Sequence, residues 1–209
     1  MVTLALLAAI AAGTAGCSAG AATGEPSVST PIGVAPGVVE PSVVAPTSAA
    51  PPAVEPAHMA RSVPVRVQIP AIGVDSKLMA LGLKADGTME VPPSGFPAGW
   101  YTGAPTPGEI GPAIIAGHVD WTGPGVFYHL RNLKRDDEAT VTRQDGSVAV
   151  FRVTRVDQFP KDQFPTALVY GDINYAGLRL ITCGGAWNSR THHYEDNIIA
   201  FAELVAPAR

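Results

Sequence analysis

Apolar and polar residues alternate through Val63, Val65, Arg66, Val67, Gln68 and Ile69, the period of two expected of a half-buried β-strand. Short apolar runs separated by turn residues follow. Met89-Glu90-Val91 reads as a brief strand stopped by Pro92 and Pro93, and 112–118 as a buried strand through Ala113-Ile114-Ile115-Ala116. Phe127-Tyr128-His129-Leu130 marks a helical turn or a loop. Residues 139–143 and 147–156 flank Gln144-Asp145-Gly146, and Asp-Gly between two such runs is the strongest hairpin signal in the chain. Strands over 178–183 and 197–205 complete the set. No helix-length periodicity interrupts them, so the pattern predicts an all-β fold, one closed or nearly closed β-barrel with short helical turns.

The folded part is predicted to span 63–209, and two different patterns precede it. Residues 1–12 form an apolar run, followed by Gly13-Thr14-Ala15-Gly16-Cys17. The run suits a signal-peptide core better than a membrane span, which takes roughly 18–20 apolar residues. Thr14-Ala15-Gly16-Cys17 resembles a bacterial lipobox, which makes Cys17 a lipidation candidate. Thr14 stands where that motif usually has Leu, and no Lys or Arg precedes the run. Residues 1–17 are therefore read as a signal peptide or membrane-anchor segment, with lipoprotein, uncleaved anchor and simple secreted form all open. From 18 to 62 the chain is mostly Ala, Pro, Val, Ser, Gly and Thr, a composition that buries no core. It predicts an extended polyproline-like spacer or a disordered tail.

Composition narrows the class further. Gly 22 and Pro 20 fit a turn-rich β domain with a low-complexity segment. Charged residues make up 15 % and the formal net charge is −4. That balance, with no Lys/Arg cluster, speaks against nucleic-acid binding.

The chain has two cysteines, and Cys17 lies at the edge of the export segment. Cys183 is thus left without a disulfide partner in the folded part. An unpaired thiol in an exported chain points to nucleophilic chemistry, against the plain alternative of a small buried hydrophobe. Alternation along 178–183 sets Arg179, Ile181 and Cys183 on one face and Leu178, Leu180 and Thr182 on the other. His118 stands at the end of a second predicted strand, where it is either a general acid/base for Cys183 or a satisfied loop histidine. Asp120 either orients His118 or ends the strand.

With those residues in place, Leu178, Leu180, Ile181-Thr182-Cys183 and Ala116-Gly117-His118 resemble the nucleophile and histidine segments of the sortases, cysteine transpeptidases of Gram-positive surfaces. Gly117-His118-Val119-Asp120, Phe159-Pro160-Lys161, Phe164-Pro165-Thr166, Cys183-Gly184-Gly185-Ala186-Trp187 and Tyr194 to Asn197 are most similar to the actinobacterial class F group. The resemblance covers about 63–205. It implies a closed eight-stranded sortase-type β-barrel in which Cys183 attacks a peptide carbonyl in an LPxTG-like sorting signal. His118 would protonate the leaving amine, and a peptidoglycan precursor amine would resolve the acyl-thioester. Implied partners are therefore sorting-signal-bearing surface proteins and that wall amine. A monomer, held at the outer membrane face by its N-terminus, with no cofactor and no metal, is the accompanying expectation. Thr182 and Ile181 are the substrate-binding candidates.

Sortases also use an arginine, which in the better-known classes opens the last strand. This chain has Asp196-Asn197-Ile198 there. Arg179 shares the face of Cys183 but lies about 13 Å back along the strand. Arg190, read as part of a loop after Cys183, is the candidate oxyanion stabiliser, with a solvated loop arginine as the plain alternative. Two rival classes remain. Cys183 with His192 and His193, or His118 with Asp120, would be ligands in a zinc-dependent wall hydrolase or zinc-stabilised domain, although no C-x-x-C or H-E-x-x-H is present. A non-enzymatic wall-associated module is the other. The S-x-G-C-x-R signature of L,D-transpeptidases is absent. His58 and His129 carry no assigned chemistry, and Trp121, Trp187 and Tyr194 either line a groove or pack a rim.

Overall fold

A computed structural model describes residues 57–205. The apolar run, Cys17 and nearly all of the spacer lie outside the described residues. Eight strands close into one barrel. They are β1 (Pro64–Ile69), β2 (Val74–Leu81), β3 (Ala98–Tyr101), β4 (Gly111–Ala116), β5 (Glu138–Arg143), β6 (Val148–Pro160), β7 (Ala176–Asn188) and β8 (His193–Leu204). Around the barrel they run β1-β2-β3-β4-β7-β8-β6-β5, and β5 pairs back onto β1. Two neighbouring pairs, β2 with β3 and β4 with β7, are parallel; the others are antiparallel. The only α-helix among the described residues is the single turn α1 (Thr166–Tyr170).

Alternation in the sequence becomes burial in the barrel. Val67 and Ile69 of β1 point inward, while Arg66 reaches out to Asp75 on β2 with a two-pronged ion pair. The hairpin forms at Asp145-Gly146: Thr142 pairs with Val148, and Gly146 takes the left-handed φ of +82° that glycine tolerates. Ala139, Val141, Ala149, Phe151 and Val153 of these two strands fill the interior with Leu178, Leu180, Ala200 and Ala202.

A second apolar layer lies outside the barrel wall. Ile114, Ala116, Ile181, Cys183, Ile199 and Phe201 form it with Val169 of α1, and Phe159, Phe164 and Tyr170 pack against it. This cover explains why β4 is apolar without alternation, since both of its faces are buried. It also buries β7 continuously from 176 to 184.

Several strand limits differ from expectation. Residues 89–91 make one isolated bridge, Met89 to Leu83, rather than a strand, because the Asp86-Gly87 turn folds them back and Pro92 cannot donate. β7 runs on past Cys183 to Asn188, and β8 begins at His193, four residues before the predicted start.

Candidate active site

Parallel pairing of β4 and β7 lays the segments that carry the two predicted reactive residues side by side. Ala116 is in register with Ile181, and the Gly117 amide donates to the Ile181 carbonyl at 3.0 Å. His118 and Cys183 stand two residues beyond that pair on adjacent segments, so the register sets them abreast. Both are buried, each 3 % exposed. Cys183 is not at the strand end as expected but at an irregularity within it: pairing with β8 shifts between Gly184 and Trp187, and Gly185 takes a φ of +76°. A side chain on Gly185 would strike the Asp196 carboxylate, so the bulge depends on glycine.

His118 is held from three sides. Its Nε2 lies 2.8 Å from the Pro92 carbonyl oxygen. A carbonyl only accepts, so Nε2 carries the hydrogen there and Nδ1 is the position that gains or loses a proton. Trp121 packs on the imidazole at 4.9 Å between ring centroids. The His118 carbonyl accepts from the Phe127 amide at 2.9 Å, which ties the histidine to the following loop. That loop passes so close at Gly125 that a Cβ there would lie 2.4 Å from the His118 carbonyl oxygen. Gly125→Ala is therefore expected to lower stability by about 1–3 kcal/mol and to depress catalysis by displacing His118. Thermal denaturation alongside steady-state rates checks both effects.

Around Cys183 the immediate polar neighbour is Lys161, whose Nζ lies 3.6 Å from Sγ. Burial pushes the Cys183 thiol up from its ordinary range, the Lys161 ammonium opposes this by charge and hydrogen bond, and Asp120 adds to the rise. Directly across on β8 stands Asn197, the pairing partner of Cys183, 1 % exposed. Its Oδ1 is buried without a hydrogen-bond partner.

Beside these residues opens a cleft of about 390 Å³ lined by Asp120, Trp121, Pro124, Tyr128, Trp187 and Tyr194. The Tyr194 hydroxyl donates to Asp120, and this bond, with burial and nearby negative charge, pushes the tyrosine up to about 12. Asp120 thus serves Tyr194, and the orienting group for His118 is Pro92. Nothing in the sequence pattern distinguished Pro92 from an ordinary strand stop. Trp187 packs edge-on against Tyr194 at 5.1 Å, so the aromatic residues form a groove wall.

Other expectations fare differently. Arg190 is not in a loop that folds back over the thiol. β7 continues five residues past Cys183, roughly 16 Å of strand at about 3.3 Å each. Arg190 sits exposed in the β7–β8 turn beyond it, its backbone amide bonded to Asn188 Oδ1 at 3.0 Å. The structure does not bring it to Cys183. Thr182 points its side chain to the barrel interior, opposite Cys183, and pairs with Ile198. Ile181 shares the face of Cys183 but is fully buried against the outer layer, where it supports the site from below. His192 lies in the same turn as Arg190, His193 opens β8 just after it, and His118 is engaged by Pro92. Among the described residues no three His, Cys, Asp or Glu side chains converge in a way that could hold a metal ion.

Comparison with solved structures finds the same barrel. Sortase A from Corynebacterium diphtheriae is 20 % identical with a TM-score of 0.55, the match covering 71 % of this chain and 63 % of that one. The Clostridium perfringens Sortase D5 transpeptidase is 19 % identical with a TM-score of 0.52, covering 69 % and 79 %. Sortase C from Streptococcus pneumoniae is 19 % identical with a TM-score of 0.51, covering 69 % of each. No curated protein sequence matches the chain. At these identities the structures speak for the fold. The sequence profile of the Sortase domain matches residues 67–205, which takes in seven of the barrel strands whole, half of β1, and both Cys183 and His118. By that match the chain belongs to the sortase family of cysteine transpeptidases.

Proposed function

We propose that this chain cleaves an LPxTG-like sorting signal through an acyl-thioester on Cys183 and transfers the acyl group to a cell-wall amine. The observation that carries the reading is the β4–β7 register, which aligns a buried thiol and a buried imidazole on neighbouring segments. In the first step the thiol proton passes to His118, and the thiolate forms a bond to the scissile carbonyl carbon. The carbonyl π pair moves onto oxygen. Collapse of that oxyanion breaks the carbon–nitrogen bond, and the leaving amine takes the proton from His118. An incoming amine then attacks the thioester and gives His118 a proton. Expulsion of the thiolate, which takes that proton back from His118, restores the starting state.

The motif run from Gly117 to Asp120 and from Cys183 to Trp187 supports placement in the class F group. The N-terminal apolar run supports tethering outside the membrane, by anchor or by lipid on Cys17. No described helix is long and apolar enough to cross a membrane.

Incubating the full chain with LPxTG-like peptides and hydroxylamine tests the reading. A hydroxamate of the truncated peptide is expected, together with an acyl adduct mapped by mass spectrometry to Cys183. A panel of such peptides giving neither turnover nor adduct would sink it.

A further inference from the structure

The pairing partner that faces Cys183 across β8 is a neutral amide, Asn197, so the last strand supplies no positive charge to the thiol. Arg179 lies four residues back along β7, stacked at 4.8 Å on Phe201 and bonded to the Leu178 carbonyl. Arg190 is at the hairpin tip. Arg131 approaches Gly184, with Nη2 at 3.7 Å from where a Cβ would be, but on the side of the strand that Cys183 does not face. Among the described residues one cation touches the sulfur, Lys161. We propose that Lys161 is a catalytic residue: its ammonium is the counter-charge of the Cys183 thiolate and then of the oxyanion formed on the carbon bonded to Sγ.

The fold fixes Lys161 where this requires. β6 ends at Pro160, which pairs with Asp196 on β8, so the next residue emerges alongside the Gly184–Cys183 end of β7. Phe159 and Phe164, on either side of the short turn 161–163, anchor it in the outer apolar layer. The ammonium is half-buried and 3.6 Å from Sγ. At that separation and partial burial the ammonium offsets part of the burial penalty that pushes the thiol up. A carbonyl carbon bonded to Sγ places its oxygen next to the same ammonium. The charge then follows the reaction, first from sulfur to oxygen and then back, without any side chain having to move. The other titratable groups that act on the thiol or its surroundings are Asp120, which opposes ionisation, and Tyr194, which is neutral and bonded to Asp120, while His118, aligned with Cys183 by the β4–β7 register, exchanges its proton.

This assignment rests on Cys183 being the nucleophile, and its test does not need peptide turnover. The rate of iodoacetamide alkylation at Cys183, resolved from Cys17 by peptide mapping of the full chain, gives the titration midpoint of the thiol. In Lys161→Met that midpoint is expected to rise by about one pH unit or more, with the transfer rate falling roughly 10- to 100-fold. Lys161→Arg restores most of both. Arg131→Ala and Arg190→Ala leave the midpoint where it is. A midpoint unmoved in Lys161→Met, or one moved instead by Arg131→Ala, overturns the assignment. A moved midpoint in a protein that transfers no sorting peptide upholds Lys161 as the counter-charge and refutes the substrate reading separately.

Discussion

Cys183→Ala is expected to remove acyl transfer to the detection floor, a loss on the order of 10⁴-fold or more, while the barrel survives. The loss is that large because nothing else in the site can form the covalent bond. The oxygen nucleophile nearest in sequence, the Thr182 hydroxyl, points into the barrel interior with Leu178 and Leu180. Water attack assisted by His118 lacks the positioned sulfur that starts the reaction. Stability should change by only about 1 kcal/mol, because the substitution removes one sulfur from a layer already filled by Ile181, Ile199 and Phe201. Peptide turnover measured by chromatography, with thermal denaturation on the same preparation, separates the two. A variant that stays folded and keeps transferring would show that the thiol is a packing residue.

His118→Ala comes next, with transfer expected to fall by roughly 10²- to 10⁴-fold. Here two roles coincide in one ring. Nε2 is spent on the Pro92 carbonyl, so only Nδ1 is free to shuttle the proton. Alanine therefore also strips a buried carbonyl of its donor, at a cost of about 1–3 kcal/mol. His118→Gln distinguishes these effects. Its side-chain amide can still donate to Pro92 and hold the segment in place, but it cannot take a proton. The glutamine variant is expected to regain most of the lost stability and none of the lost rate, read by denaturation midpoints against single-turnover acylation. Equal activity loss and equal destabilisation in both variants would make His118 structural.

Sequence pattern revealed the strands that alternate or turn sharply. β1, the β5–β6 hairpin and the core of β7 each carry a local signal that the barrel obeys. β2 and β3 were silent for identifiable reasons. β2 has half-buried residues on both faces, which erases its period. β3 is four residues long and includes Gly99, where a Cβ would collide with Leu81 on the neighbouring strand. The outer apolar layer hid from alternation too, since a second cover makes both faces of β4 look like core.

At the site, Cys183 and His118 were legible because both lie at the head of apolar runs. Lys161 and Pro92 were not. Each reaches the site through long-range pairing, Lys161 by way of β6 on β8 and Pro92 by a contact 26 residues upstream of His118. Arg190 was misjudged because two glycines after Cys183 look like the start of a loop. In the structure Gly184 and Gly185 make a bulge in a strand that goes on.

Parallel contact between β4 and β7 has a consequence for when this protein becomes reactive. Two parallel strands cannot be joined by a tight turn, so the imidazole and the thiol meet only after the intervening β5 and β6 have been laid down on the other side of the ring. Until β8 docks between β7 and β6, the thiol lacks its ammonium and the cover that buries it. The unfinished chain thus carries an exposed cysteine of ordinary acidity, whereas the closed barrel buries it. During refolding, protection of Cys183 from alkylation should coincide with ring closure rather than with the appearance of the first strands, making the thiol a built-in clock for the final folding event.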